Sequence, residues 1–374
     1  MCDKTDFESN TPLVSILIPA FNAGNFIQET LESVLAQTYP NIEIIVVDDG
    51  STDDTQQKIL AFGERIIYIY QQNGGIASAR NRGMALTRGQ LVALLDADDI
   101  CHPNRIAIQV DYLQKNPDII ICSTDFSAFN SDGHVSDSHI SNYYGIIRST
   151  AEGIEQLYEE KRFLDTGQNP WTINDSCEVK IHHGYIYKKI VWGNFIHPPT
   201  IMLRRSVAER VGFFDEKLFF ACDYDWLIRV SRLGKIGYIE RPLLKYRLHL
   251  GQSSSHRNIE PAILETIAVM NKIRCDDEKF YQANWQRFQK RLGHLYLELA
   301  HSLVERKRLS ALGYLLHSLR YPFSVKLTTI KVLTKLIIPN FIIKMYRYGV
   351  PIWLFSTVYS EIGLFVMKNS PELL

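Results

Sequence analysis

Three aspartates that directly follow a short apolar run have the spacing of a cation site. Asp96, Asp98 and Asp99 come after residues 91–95, which read Leu-Val-Ala-Leu-Leu. A buried strand of a parallel sheet reads as such a run, and ligands of open α/β sheets bind at the carboxyl ends of the strands. Close carboxylates repel one another unless a cation lies between them, and oxygen ligands suit the hard divalent ions that also bind phosphates. The alternative is a plain strand end, with Asp99 as the cap of the next helix.

Two further acidic groups have a similar setting. Asp48 and Asp49 end an apolar run that starts at residue 41, and Asp223 and Asp225 lie at the start of an amphipathic segment. A purely stabilising role is disfavoured, because bringing like charges together costs free energy. The three groups together indicate a site that binds a metal ion and a phosphate-bearing ligand, with a separate carboxylate free to act as a base.

The elements that must position these groups alternate between strand and helix patterns. Apolar runs predict strands, and helical spacing predicts helices, over residues 14–19, 25–37, 41–49, 65–70, 77–86, 91–95, 103–115 and 117–123. This alternation is typical of right-handed βαβ units in a mostly parallel sheet with helices on both faces. Residues 126–192 read as irregular, either a substrate-recognition loop or a solvated insertion. Regular patterns return over residues 196–249, and from residue 259 onward only helices are predicted.

The composition narrows the class of protein. The chain has 374 residues, 46% of them hydrophobic, and its 41 basic residues balance 41 acidic ones, so it shows no signature of nucleic-acid binding. Its length predicts two domains. The six cysteines form no Cys-x-x-Cys pair, which argues against a zinc site or a disulfide framework and fits a reducing compartment. The first eleven residues hold no apolar signal-peptide core, so a cytoplasmic location is predicted.

Four segments resemble, in order, the motifs of family 2 glycosyltransferases. They are Val-Ser-Ile-Leu-Ile-Pro-Ala-Phe-Asn at 14–22, Val-Asp-Asp-Gly-Ser-Thr-Asp at 47–53, Asn-Gly-Gly-Ile-Ala-Ser-Ala-Arg-Asn-Arg-Gly at 73–83 and Leu-Asp-Ala-Asp-Asp at 95–99. The resemblance implies a GT-A fold, a Rossmann-like α/β fold with a mixed, mostly parallel sheet and flanking helices. It implies a catalytic domain over residues 1–256, with a nucleotide-sugar-binding half at 12–118 and an acceptor-side half at 119–256, followed by a helical region at 257–374.

The resemblance also implies roles for single residues. Asp49 would hydrogen-bond a uracil ring, Phe21 would offer an apolar face to the base, and Asp96 would reach the ribose. Asp98 would bind Mn²⁺ or Mg²⁺, and His249 would contact the metal or the diphosphate, unless it is only a packed surface residue. Arg80 would contact the nucleotide, the alternative being a charged side chain on a solvated helix face. The whole nucleotide-binding set implied in this way is Pro19, Ala20, Phe21, Asn22, Asp49, Asn73, Arg80, Asn81, Asp96 and Ala97.

Residues 221–229 resemble the segment that carries the catalytic base of this family. The family usually has Glu-Asp there, whereas this chain has Cys222 in the place of the glutamate and Asp223 in the place of the base. Asp225 lies two residues further on, where helix capping or packing is the expected role. Asp223 is therefore the predicted base, and Asp99 is expected to support a metal ligand or to cap a helix.

The resemblance implies an inverting, metal-dependent glycosyltransferase. Its donor would be a nucleotide-sugar, expected to be a UDP-sugar, and its acceptor a hydroxyl of a polysaccharide or a lipid-linked glycan of the cell envelope. A sugar nucleotidyltransferase would need a Gly- and Lys-rich loop after the first strand, and a dinucleotide-dependent oxidoreductase would need the motif Gly-x-Gly-x-x-Gly there. Residues 20–23 read Ala-Phe-Asn-Ala, which provides neither. An inactive scaffold that binds nucleotide-sugars is the other alternative, and the presence of Asp98 and Asp223 argues against it.

The C-terminal region has the pattern of a membrane-surface segment. Between residues 302 and 347 Glu305 is the only acidic residue, and lysines over residues 326–344 alternate with apolar residues. This pattern predicts peripheral contact with the inner face of the cytoplasmic membrane, the alternative being a bundle packed on the catalytic domain. Residues 348–367 are mostly apolar, but Pro351 and Glu361 argue against a spanning helix.

Overall fold

The computed structural model describes residues 11–167, 169, 178–252, 258–321 and 332. The chain divides into two compact units, Met1–Gln252 and Ser253–Leu374. The described residues of the first unit form one mixed sheet with flanking helices, and those of the second unit form helices. The predicted α/β class, with a mixed sheet, flanking helices and a helical C-terminal region, is confirmed.

The first unit starts with strands and helices in alternation. They are β1 (Val14–Ala20), α1 (Ile27–Leu35), β2 (Ile42–Asp48), α2 (Thr55–Leu60), β3 (Ile67–Tyr70), α3 (Ile76–Met84) and β4 (Leu91–Leu94). β1 pairs in parallel with β2 and with β4, and β2 pairs in parallel with β3. Every residue of β1 is buried, which is why its sequence is a continuous apolar run. The parallel pairing brings the carboxyl ends of these strands to one edge of the sheet.

Helix α3 packs closely on the sheet because its sequence is rich in small residues. A Cβ on Gly83 would lie 2.0 Å from Cδ1 of Leu17 and 3.1 Å from Cγ2 of Val47. Arg80 lies three residues earlier, on the same face of the helix. That face is buried, and Arg80 is only 3% exposed. The solvated alternative for Arg80 is therefore wrong.

The remaining elements of the first unit complete the sheet and its helical cover. They are β5 (Ile100–Cys101), α4 (Arg105–Lys115), β6 (Ile119–Asn130), β7 (Gly133–Ser136), α5 (Ile140–Tyr143), α6 (Gly145–Arg148), β8 (Glu160–Asp165), β9 (Glu178–Gly184), α7 (Tyr187–Ile190), β10 (Met202–Arg204), α8 (Arg205–Val211), α9 (Cys222–Val230) and β11 (Lys235–Arg247). The strand order is β3-β2-β1-β4-β10-β6-β11-β9-β8, with β5 beside β11 and β7 beside β6. β10 is antiparallel to β4 and β6, whereas β11 is parallel to β6, so this half of the sheet is mixed.

The expectation that residues 126–192 are irregular is wrong. β6 continues to Asn130, and β8 and β9 extend the sheet beyond β11 as antiparallel strands. The strands of this segment were hidden because β8 is largely exposed and polar, so it shows no buried run or alternation. Its pairing with β9, and the pairing of β9 with β11, join positions far apart in the sequence.

The second unit contains α10 (Ile259–Asp276), α11 (Glu278–Ala283), α12 (Trp285–Leu303) and α13 (Arg308–Ser318). Apolar side chains of α12 and α13 form its buried core together with Val332; the cluster is Leu297, Ala300, Leu303, Val304, Ala311, Leu315 and Val332. The basic stretch 326–344, apart from Val332, and the apolar stretch 348–367 lie outside the described residues. Among the described helices, none is both long enough and apolar enough to cross a membrane.

Candidate active site

The loop after β4 brings two predicted site aspartates to basic partners. Oδ1 of Asp96 accepts a hydrogen bond from Nη2 of the buried Arg80 at 3.0 Å. Oδ2 of Asp98 lies 2.9 Å from Nε2 of His249, which follows the end of β11. Ala97 between them is buried, and its carbonyl accepts from the hydroxyl of Thr30 at 3.0 Å. The loop is therefore fixed on both sides by side chains from distant parts of the chain.

Asp99 supports this loop from within the protein. Its side chain is fully buried, and Oδ1 accepts a hydrogen bond from the backbone N–H of Arg247 at 3.0 Å. Burial raises the pKa of Asp99 well above its usual range, and the charges of Asp98 and Asp96 add to this effect. Oδ2 of Asp99 has no partner within the described residues. The alternative role of Asp99 as a helix cap is wrong, since α4 begins at Arg105, after Asn104.

Arg247 joins the end of β11 to the aspartate loop and to α1. Its Nε donates to the carbonyl of Asp98 at 2.8 Å, and its guanidinium also pairs with Glu29. The guanidinium carbon lies 5.1 Å from the ring centre of Phe26, and that ring lies 4.5 Å from the ring of His249. The rotamer of His249 is thus limited by a ring on one side and by Asp98 on the other.

Asp49 and Asp48, at the end of β2, organise the neighbouring loops. The two oxygens of Asp49 accept from the backbone N–H groups of Gly74 and Gly75, at 2.9 Å and 2.8 Å, and from the amide of Gln71. Gly75 has φ +87°, a conformation that favours glycine. Asp48 accepts from the N–H of Ser51 and the hydroxyl of Tyr68. Asp49 is 3% exposed, so its observed contacts are with the 71–75 loop.

The loop after β1 leaves one predicted nucleotide contact open to solvent. Pro19 and Ala20 are buried at the end of the strand, whereas Phe21 is 51% exposed. Asn22 has φ +48°, and its Oδ1 accepts from the backbone N–H of Thr52 at 2.8 Å. Asn73, on the adjacent loop, is exposed. Phe21 and Asn73 are therefore accessible, and Asn22 fixes the shape of the loop.

Asn81 makes its contacts within the protein. Its Nδ2 donates to the carbonyl of Phe214 and to Glu216, and its Oδ1 accepts from the N–H of Phe214. The ring of Phe214 stacks on Trp226 of α9 at 4.8 Å. The amide of Asn81 is therefore engaged by groups of the protein. The structure gives Asn81 a positioning role that links α3 to the helix of the predicted base.

Asp223 lies in the first turn of α9 and is partly buried, near Arg80 and Asp96. Burial raises its pKa above the usual value, the Arg80 guanidinium opposes this effect, and the Asp96 charge adds to it. Nδ2 of Asn194 lies 3.5 Å from Oδ2 of Asp223, and the Asn194 amide is oriented by the N–H of Ile196, which donates to its Oδ1. A carboxylate with a raised pKa is a better proton acceptor than an ordinary aspartate.

Asp225 has the structural role that was predicted for it. It is 3% exposed, and its Oδ2 accepts from Nε of Arg229 at 2.9 Å, one turn along the helix. The guanidinium of Arg229 also donates to the carbonyls of Val211 and Phe213. Asp225 therefore holds the loop before α9 and is not available as a base.

Sequence reasoning missed the supporting roles of Asn194 and Arg247. Both lie in segments that resemble the family, residues 193–205 and 246–249. The sequence spacing around either residue does not indicate which side chain it contacts. Their partners, Asp223 and Asp98, are distant in sequence and meet them only after the sheet forms. The available signal for Arg247 was its position two residues before His249, whereas Asn194 has no predicted site residue near it in the sequence.

The donor set fits a divalent cation. Asp98 and His249 would supply a carboxylate oxygen and an imidazole nitrogen, and Asp99 has a buried oxygen without a partner in the described structure. A second group, Glu155, His182 and Glu240, also has the spacing of a metal site. Its carboxylates already form ion pairs with two lysines, Lys161 and Lys180, so they are neutralised without an ion.

Comparison with known proteins identifies the family. The model of glycosyl transferase family 2 matches residues 15–212. The chain belongs to this family. It is 31% identical over 248 residues to an uncharacterized glycosyltransferase of Rickettsia prowazekii, covering 66% of this chain and 67% of the relative. The prediction of a glycosyltransferase of family 2 is thereby confirmed.

Solved structures of glycosyltransferases share the fold of this family member. S. aureus TarS 1-349, in complex with UDP-GlcNAc, matches with a TM-score of 0.51 and 18% identity over 87% of this chain and 80% of that chain. The mannosyltransferase PcManGT from Pyrobaculum calidifontis, in complex with GDP-Man and Mn²⁺, matches with a TM-score of 0.50 and 16% identity, covering 96% and 87%. At these identities the likeness establishes the GT-A type of fold.

Proposed function

We propose that this family 2 enzyme is an inverting, metal-dependent glycosyltransferase that uses a nucleotide-sugar donor, specifically a UDP-sugar. The observation that carries the proposal is the convergence at one edge of the sheet. There the Asp98–His249 pair can hold a cation, and Asp223, with a raised pKa, can accept a proton. Solved relatives of the same fold carry UDP-GlcNAc or GDP-Man, which supports a sugar nucleotide as the donor class.

Asp223 is the group proposed to activate the acceptor. Its carboxylate takes the proton of an acceptor hydroxyl while the hydroxyl oxygen forms a bond to the anomeric carbon. The bond from that carbon to the diphosphate oxygen breaks in the same displacement, and the nucleoside diphosphate leaves. A single displacement inverts the anomeric configuration and needs no protein nucleophile. The amide of Asn194 keeps the carboxylate oriented.

The cation, Mn²⁺ or Mg²⁺, would supply charge neutralisation at the leaving diphosphate. Asp98 and His249 would hold it, and Arg80, which pairs with Asp96, is proposed to lie close to the diphosphate. The remaining predicted nucleotide contacts are proposed to be Phe21, Asn73 and Asp96, with Asp49 holding the loop that covers the base. The exposed ring of Phe21 provides the apolar face for a pyrimidine.

The proposed acceptor is a hydroxyl of a polysaccharide or of a lipid-linked glycan of the cell envelope. A lipid-linked acceptor would bring the enzyme to the inner face of the cytoplasmic membrane, where peripheral contact is proposed.

A calorimetric panel of nucleotides tests the donor class. UDP, GDP, CDP and ADP are titrated into the full chain with Mn²⁺ and again with a chelator. We expect UDP to bind with Mn²⁺, to bind much more weakly with the chelator, and to raise the melting temperature. The variant Asp98→Asn should lose the Mn²⁺-dependent part of the UDP affinity. The control variant Asp111→Asn, on α4 and outside the proposed site, should keep that affinity. Preference for GDP would correct the donor, and binding of no nucleotide under either condition would overturn the proposed function.

Turnover separates an enzyme from an inactive scaffold. Hydrolysis of UDP-sugars is followed with Mn²⁺ for the wild type and for Asp223→Asn. We expect slow hydrolysis by the wild type and a strong loss in the variant, with UDP affinity unchanged. Binding without any hydrolysis or transfer would favour the scaffold, and release of inorganic pyrophosphate from a nucleoside triphosphate and a sugar phosphate would favour a nucleotidyltransferase.

A further inference from the structure

Helix α13 exposes a row of leucines on one side. Leu309, Leu312 and Leu316 are 87%, 41% and 57% exposed, and Leu319, which directly follows the helix, is 47% exposed. Their spacing of three, four and three residues aligns them along the helix axis. A single exposed leucine is ordinary, but a continuous apolar row marks an interaction surface. These four residues are called the leucine row.

The leucine row is not needed to pack the second unit. A different row of the same helix, Ala311, Leu315 and Ser318, is buried and faces the cluster that includes Leu297, Ala300 and Leu303 of α12. At 3.6 residues per turn the two rows lie roughly 120° apart around the helix. The packing of α13 on α12 therefore buries one row and leaves the other exposed.

Basic side chains surround the leucine row. Arg306, Lys307 and Arg308 precede it, and Arg320 follows it; all four are exposed. Lys307 pairs with Glu260 at 2.8 Å. Residues 306–320 contain these four basic residues and no acidic one, so positive charge lies at both ends of the row. An apolar stripe with a cationic rim is the pattern of a helix that lies in the plane of a membrane surface.

We propose that the leucine row of α13 docks onto an anionic lipid surface. The leucines would enter the boundary between headgroups and acyl chains, and the arginines would meet the negatively charged headgroups. A symmetric contact between two copies of the chain is disfavoured, because it would place the same cluster of arginines against itself. The inference builds on the membrane contact of the proposed function by naming the helix that makes it, and its test does not involve sugar transfer.

Flotation of the full chain with lipid vesicles tests the inference. Vesicles of phosphatidylcholine, with or without phosphatidylglycerol, are compared at low and high salt. The double variant Leu312→Glu/Leu316→Glu removes the centre of the row, and Leu60→Glu, at a 54% exposed position of α2, is the matched control. We expect the wild type and the control to float with anionic vesicles, and the bound fraction of the double variant to fall by about tenfold or more.

A charge variant tests the rim separately. Arg306→Gln/Arg320→Gln should weaken binding to anionic vesicles and flatten its salt dependence, because screened attraction to headgroups is lost. Circular dichroism melts of all variants confirm that each is folded, as expected for changes at exposed positions.

Three results would overturn the inference. They are failure of the wild type to float, flotation of the double variant to the same extent as the wild type, and light scattering that shows two copies held together by the row. Hydrolysis of the donor without vesicles reports on the proposed function independently, so a loss of vesicle binding with intact hydrolysis concerns the leucine row alone.

Discussion

Nε2 of His249 lies 2.9 Å from Oδ2 of Asp98, although 151 positions separate the two residues in the sequence. The contact joins the loop after β4 to the end of β11. Two further hydrogen bonds join the same two segments. Nε of Arg247 donates to the carbonyl of Asp98, and the backbone N–H of Arg247 donates to Oδ1 of Asp99. The cation site that we propose is therefore held by three adjacent links rather than by a single flexible pair.

Replacement of His249 by alanine is expected to lower the Mn²⁺-dependent affinity for UDP by about 10–100-fold. The imidazole is a proposed ligand and is only partly buried, so the fold should tolerate its loss. Isothermal titration with Mn²⁺ present measures the change. His134→Ala is the matched control, since His134 is exposed on β7 and pairs with Asp137. Equal affinity in both variants would remove His249 from the site.

Replacement of Asp223 by asparagine is expected to lower kcat by about 10²–10⁴-fold, because the acceptor hydroxyl loses its base. The affinity for UDP should not change, since the proposed partner of Asp223 is the acceptor hydroxyl. Asp225→Asn is the informative comparison: it breaks the bond to Arg229, so it should lower the melting temperature while kcat falls much less. A larger loss of kcat in Asp225→Asn than in Asp223→Asn would show that Asp225 is the base and that Asp223 has the structural role.

The rate of transfer should fall on acidification at a higher pH than an ordinary aspartate would cause. Burial raises the pKa of Asp223, and the base acts only when it is deprotonated. The acid limb of the kcat profile should therefore have a midpoint above about 3.9, the value of an unperturbed aspartate. Steady-state rates at saturating donor across the pH range give the midpoint. A profile that stays flat down to that pH would show that Asp223 is not the base.

Loss of stability on acidification should depend on His197. Burial lowers the pKa of this histidine from 6.5 to about 3, and nearby Arg80 adds to the effect. Between these values the unfolded chain binds a proton that the folded chain does not, so stability falls as pH falls, by up to about 1.4 kcal/mol per pH unit. Urea unfolding at neutral and mildly acidic pH should show a smaller dependence in His197→Gln. An unchanged dependence would assign it to other groups.

Asn81→Leu distinguishes a positioning role from a nucleotide contact. The change leaves the N–H and carbonyl of Phe214 without their partner, so the free energy of unfolding should fall by about 2–4 kcal/mol. It should also lower kcat, because Phe214 stacks on Trp226 in the helix of Asp223. Urea unfolding and steady-state kinetics are measured together. If UDP affinity falls and stability does not, Asn81 is instead a direct nucleotide contact.

The sequence predicted the parts of the fold that have local signals. Strands β1, β2 and β4 of the parallel half are buried, so each reads as an apolar run, and the clusters at Asp48 and Asp96 mark where β2 and β4 end. β8 was not predicted because it is a largely exposed edge strand that depends on its pairing with β9, and β9 itself lies between β8 and the distant β11. The contacts of the Asn81 amide were not predicted for the same reason. The motif identifies the residue, but the packing of the chain determines which neighbours the amide contacts.

The length of β11 is constrained at both ends. Near its start, a Cβ on Gly237 would lie 2.3 Å from the hydroxyl of Tyr112, and at its end Arg247 is bonded to the aspartate loop. Between these points its register against β6 shifts on both sides of Pro242. The strand thus acts as a spacer between two anchor points, and the irregularities around Pro242 take up its excess length. An insertion or deletion of one residue elsewhere in the chain can be absorbed by a loop, whereas one in this strand would have to be compensated at Pro242 or would move His249 away from Asp98.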